Sequence, residues 1–87
     1  LQPYRSELDR KARLAFEFYC RAVGSYAEVA DRHGIDHRTA RRMFRQERTV
    51  PPGLARDIAR HHEAGPVADD LIAWADHARE ASDAAHE

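Results

Sequence analysis

The stretch Ser25-Tyr26-Ala27-Glu28-Val29-Ala30-Asp31-Arg32-His33-Gly34-Ile35-Asp36-His37-Arg38-Thr39-Ala40-Arg41-Arg42-Met43-Phe44-Arg45-Gln46-Glu47-Arg48 decides how this chain is read. Ser25 and Glu28 form a Ser-x-x-Glu capping box, in which each side chain satisfies an amide that the start of a helix leaves without a partner. Tyr26, Val29 and Ala30 then face inward. Gly34 closes the helix, because it takes the left-handed conformation at low steric cost. Asp36 offers a carboxylate to the first-turn amides of a second helix. Ile35, Ala40, Met43 and Phe44 anchor that helix, and His37, Arg38, Arg41, Arg42 and Arg45 fall on its other side. A short helix, a tight turn and an arginine-loaded helix make the layout of a helix-turn-helix, the unit that sets one helix in the major groove of DNA.

The flanking sequence reads as helix on both sides. Upstream, Ser6 and Asp9 have capping-box spacing with an acid in the usual Glu place, so a helix is expected to start at Ser6. Leu8, Ala12, Ala15, Tyr19 and Ala22 recur at helical spacing, Leu14, Phe16 and Phe18 widen the apolar face, and Gly24 ends the helix. Downstream, Val50-Pro51-Pro52 precedes a fourth helix with Leu54, Ala55, Ile58 and Ala59 as its stripe, since proline fits the first helical turn. Gly65-Pro66 breaks the chain again. A fifth helix over about 66–82 follows, with Asp69 and Asp70 in its first turn and Val67, Leu71, Trp74, Ala75 and Ala78 along its apolar face. The alanine-rich tail after Ala81 is expected to fray. No alternating run is long enough for a strand.

Charge is unevenly placed. The net charge is -1, yet Arg32 to Arg48 holds six arginines against Asp36 and Glu47, a formal +4. Glu63 to Glu87 holds seven acids against Arg79, a formal -6. The first segment can meet phosphate and the second would be repelled by it. The 87 residues suit one small domain, whose modest buried surface would gain from a partner subunit. No apolar run approaches a membrane span, and no signal peptide is recognisable. A lone Cys20 cannot form an internal disulfide, which fits a cytosolic setting.

Gly34-Ile35-Asp36-x-x-Thr39-Ala40-x-x-Met43 resembles the Cro and lambda-repressor-like helix-turn-helix family. Many members have Gly-Val-Ser in the turn and tryptophan as the later anchor, where this chain has Ile35, Asp36 and Met43. Val50-Pro51-Pro52-Gly53-Leu54-Ala55 is similar to the Pro-containing loop and fourth helix of small phage and bacterial members. The resemblance covers about Gly24 to His62. It implies a bacterial or phage regulator of the cytoplasm or nucleoid, with His37, Arg38, Arg41, Arg42 and Arg45 facing DNA.

The side of the second helix opposite Ala40 and Met43 gives the same residues without the family. Arginine can fork onto guanine O6 and N7 or pair with phosphate. Much of a protein–DNA interface contacts the backbone, so Arg38 and Arg41 are assigned to bases and Arg42, Arg45 and Arg48 mainly to phosphates. Thr39 is placed against a phosphate near the helix start. The bland reading, a solvated face with i,i+4 pairs, needs acids that this helix lacks.

Other constellations are weaker. His61, His62 and His77 lack the clustered partners of a zinc site, and no metal or other cofactor is expected. Cys20 reads as a buried small residue. No nucleophile triad, phosphate loop or paired carboxylate marks an enzyme.

The sequence therefore predicts an all-α chain, residues 1–87 forming one compact bundle of about five helices, with a helix-turn-helix core over about 25–48. The expected function is sequence-specific binding of double-stranded DNA by a transcriptional regulator, a repressor acting as a homodimer. Val67, Leu71, Trp74 and Ala78 are the expected dimer interface. The alternative is a protein–protein adaptor that has lost DNA binding and presents its acidic last helix to a partner.

Overall fold

The structure, a computed structural model, describes the backbone of residues 3–85 and the side chains of residues 5–80. Five α-helices follow one another among the described residues: α1 (Pro3–Val23), α2 (Tyr26–His33), α3 (His37–Phe44), α4 (Pro52–Ala59) and α5 (Ala68–Ala85). A 3-10 turn, His62–Val67, joins α4 to α5. No described residue is in a strand. None of the described helices is long and apolar enough to cross a membrane.

Helix boundaries follow the caps. Ser25 Oγ accepts from the Glu28 amide at 3.2 Å. Gly34 has φ 66°, and its amide donates to the Ala30 carbonyl. Asp36 accepts from the Thr39 amide at 3.2 Å. Pro51 and Pro52 introduce α4 without a side-chain cap. The start of α1 differs from the sequence-based expectation. The helix begins at Pro3, upstream of Ser6, and Asp9 turns its carboxylate to Arg13 and Thr49 rather than to the helix start. Proline in a first turn needs no amide partner, which lets the helix extend to that point. At the other end, α5 starts at Ala68 because Gly65 (φ 48°, ψ -125°) interrupts the turn before it, and the helix runs to Ala85.

The long α1 is the centre of the bundle. It packs on α5, α2, α3 and the 3-10 turn, while α4 packs chiefly on α5. Phe16, Tyr19 and Cys20 of α1 meet Val29, Met43, Val50, Ile58, Leu71 and Trp74 in one core. Burial raises the Cys20 thiol to about 12, so it stays protonated. Trp74 is 2 % exposed, its indole N–H donates to the Val50 carbonyl at 2.7 Å, and the Arg5 guanidinium lies over its ring.

Two sequence-based expectations fail in this core. Leu71 is wholly buried and Trp74 nearly so inside the single chain, so neither is available as a surface for a second copy; Val67 and Ala78 are half-buried beside them. Four helices do not close a core here, and α5 supplies its missing wall. On α1, Leu14 and Phe18 do not widen the buried face. They stand 44 % and 43 % exposed on its outer side, because Phe16, Tyr19 and Cys20 already fill the inner one.

Candidate nucleic-acid interface

The turn geometry settles where α3 points. Ala30 and Ala40 are fully buried, and so is Met43. The Ile35 amide donates to the Ala30 carbonyl at 2.9 Å, tying the turn to the end of α2. Tyr26 and Phe44 add a ring contact with centroids 5.8 Å apart, and the Arg21 guanidinium covers Phe44 from α1. With that side of α3 held inward, residues half a turn away must face out.

Those residues are arginines. Arg38, Arg41, Arg42 and Arg45 are all exposed and fall within an arc of about 100° at helical spacing. They line an open depression of about 260 Å³ with Glu47. A second depression, about 280 Å³, lies between the helices and is lined by Tyr26, Ala27, His37, Arg38 and Arg41. Arg38 and Arg41 belong to both.

The charge on this face is largely uncompensated. Arg45 is bridged to Glu47 at 3.3 Å. No described residue forms a salt bridge with Arg38, Arg41 or Arg42, whereas Arg13 is bridged to Asp9, Arg21 to Glu17 and Arg56 to Asp76. Arg32, counted above in the basic segment, is drawn off to Glu63 at 3.1 Å and to the Tyr19 hydroxyl at 3.2 Å. The acids of α5 lie apart from this face, since α3 packs chiefly on α2 and α1.

The remaining expected residues are more dispersed. His37 is exposed, and its Nε2 lies 2.7 Å from Asp31 across the turn. Thr39 is half-buried on the flank between Arg42 and Met43, and its amide is the one capped by Asp36. Arg48 lies beyond the end of α3, exposed in the loop to α4.

The end of α3 is held by residues that the sequence did not single out. Gln46 has φ 62°, the left-handed region usually left to glycine. Its amide donates to the Met43 carbonyl and the Glu47 amide to the Arg42 carbonyl, which is a Schellman closure without glycine. Arg13 on α1 donates to the Gln46 carbonyl at 2.8 Å and to Thr49 Oγ1 at 2.9 Å, while Asp9 grips the same guanidinium through both carboxylate oxygens. The Gln46 side-chain amide donates to Glu17 at 2.8 Å. That bond, then the one from Arg21, holds the Glu17 carboxyl below its ordinary range. Asp9–Arg13 and Glu17–Arg21 have i,i+4 spacing that a sequence can show; partners about 30 or more residues away carry no local signal.

Nothing in the described residues assembles metal chemistry. They contain no group of three or more His, Cys, Asp or Glu placed to hold a metal ion. His61 instead stacks edge-on against His33, 5.1 Å between centroids, and His62 is exposed. Comparison with protein-family models, curated proteins and solved structures finds no match to the chain.

Proposed function

We propose that this protein is a sequence-specific double-stranded-DNA-binding regulator of the Cro and lambda-repressor-like kind, with α3 lying in the major groove. The carrying observation is the row Arg38, Arg41, Arg42 and Arg45 on the outward side of the second helix of the motif, three of the four without a carboxylate. Such a row has a natural partner in the phosphate backbone. Repression by occupying a promoter, in the bacterial cytoplasm or nucleoid, belongs to the same proposal. So does pairing of two copies on a palindrome, as one recognition helix reads only part of a turn. With Leu71 and Trp74 spent in the core, the large apolar side chains exposed for such pairing among the described residues are Leu14, Phe18 and Ile72.

Of the described acids on α5, Asp76 is held by Arg56 at 2.7 Å, and the adaptor reading rests on the others. The two readings separate in a fluorescence-anisotropy titration of the full chain with a random-sequence duplex. With Arg42, Arg45 and Arg48 on phosphates, log K against log salt should fall with a slope of about -2.7, and Arg45→Ala should flatten it by about 1. An adaptor would show no duplex binding at low salt.

A further inference from the structure

The outward face of α3 restricts which bases it can read. In the major groove guanine presents two acceptors, N7 and O6. Adenine presents an acceptor beside a donor, and so matches an amide; cytosine presents a donor, and so matches a carboxylate. A side chain that only donates meets guanine with two bonds, and thymine, which presents the single O4 acceptor beside a methyl group, with one.

The carboxylates and the side-chain amide near the face each already have one partner. The Gln46 side-chain amide is turned to Glu17 at 2.8 Å. Glu47 is held by Arg45 and Asp31 by His37. Asp36 accepts from the Thr39 amide. What remains for a base edge is guanidinium, with the half-buried Thr39 hydroxyl on the flank. Arg45 sits at the C-cap with Glu47 on it, and Arg42 lines only the first depression; Arg38 and Arg41 line both and, like Arg42, have no salt-bridge partner among the described residues. Arg38 and Arg41 are three residues apart, about 4.5 Å along the helix axis. The base-pair step is about 3.4 Å, so the two forks reach neighbouring positions or positions separated by one pair.

We propose that each half-site this helix selects carries two guanines, adjacent or one position apart, one for Arg38 and one for Arg41. This rests on the DNA-binding reading above and specifies its ligand: a guanine-defined major-groove edge.

The test is selection of bound duplexes from a random pool by the full chain, followed by titration of the selected duplex with each consensus guanine replaced by 7-deazaguanine, which lacks N7. The expected result is two guanines within three base pairs of every half-site, and a loss of at least about fivefold for either replacement. Arg38→Lys keeps the charge and loses the fork, so the preference for guanine over adenine at one of the two positions should fall by a similar factor. An A·T consensus, no consensus, or full affinity for the deazaguanine duplexes overturns the guanine assignment and leaves DNA binding standing. Failure to bind any duplex at low salt overturns both.

Discussion

Arg13 Nη1 donates to the main-chain carbonyl of Gln46 across 33 residues, at 2.8 Å, and so ties the middle of α1 to the end of α3. Gln46 is the residue that needs holding. Its φ of 62° costs a non-glycine residue roughly 1–2 kcal/mol. The carbonyl bond from Arg13 and the side-chain bond to Glu17 offset that strain and stop the row of arginines at a defined point.

Removing the clasp should therefore loosen the end of α3. Arg13→Ala leaves Asp9 and the Gln46 carbonyl half-buried without their partner, an expected loss of about 1–3 kcal/mol in urea denaturation. At position 46, glycine and alanine both lose the bond to Glu17, so their difference isolates the backbone strain. Gln46→Gly should be more stable than Gln46→Ala by about 1 kcal/mol. Equal midpoints would mean that residue 46 relaxes out of the left-handed region.

Trp74 is a stability residue. Trp74→Ala should cost about 3–5 kcal/mol from the cavity left in the core. Trp74→Phe keeps most of the volume and loses the bond to the Val50 carbonyl, an expected loss of about 1–3 kcal/mol. Both losses should be independent of protein concentration. A melting temperature of the alanine variant that recovers on raising the concentration would instead place Trp74 at a subunit contact.

Local chemistry was legible in the sequence and long-range chemistry was not. Ser25, Gly34 and Asp36 act within three or four residues of themselves, and all three sit in the structure as their types dictate. Ala40 and Met43 follow from helical spacing, and that spacing also placed the arginines outward. Leu14 and Phe18 were misassigned because a 21-residue helix with apolar side chains on most of its circumference does not say which side is already filled. Trp74 was misassigned because burial of α5 depends on how much core the first four helices close. Arg32 reads as a basic-face residue until Glu63, 31 positions on, is brought to it by the 3-10 turn.

The turn itself can be tested at Gly34. A Cβ built there meets nothing within 4 Å, so the demand is for the φ of 66° and not for space. Gly34→Ala should cost about 1–2 kcal/mol. Gly34→Asn should cost less, because asparagine visits this region more readily. Gly34→Val should be the worst of the three, and the α2–α3 angle should shift with it, lowering duplex binding even where the chain stays folded. A valine variant with unchanged melting and binding would contradict the turn described here.

Acid sensitivity should start at His33. The Tyr19 hydroxyl accepts from Arg32 at 3.2 Å and lies 2.8 Å from His33 Nε2. Arg32 can only donate, and with His33 neutral and its own proton on Nδ1 the hydroxyl proton goes to His33 Nε2. Burial pushes the Tyr19 phenol above its ordinary range and keeps that proton in place. Protonated His33 would turn a second donor on the same oxygen. Burial lowers the His33 pKa, His61 and Arg32 lower it further, and Asp57 raises it; Glu63 reaches the cluster through Arg32. In the unfolded chain a histidine titrates near about 6.5. Between that value and the lower folded one, the unfolded state binds more protons, so stability falls as pH falls through this window and levels off below it. Glu63, lowered by its own backbone hydrogen bond and by Arg32, and Glu17 contribute stability above the ordinary carboxylate range and lose it only at more acid pH. Urea midpoints at about pH 7.5 and about pH 5.5 should thus differ for the parent chain and converge for His33→Gln, which retains an acceptor for Tyr19 without titrating. The same drop in both proteins would assign the acid limb to another histidine.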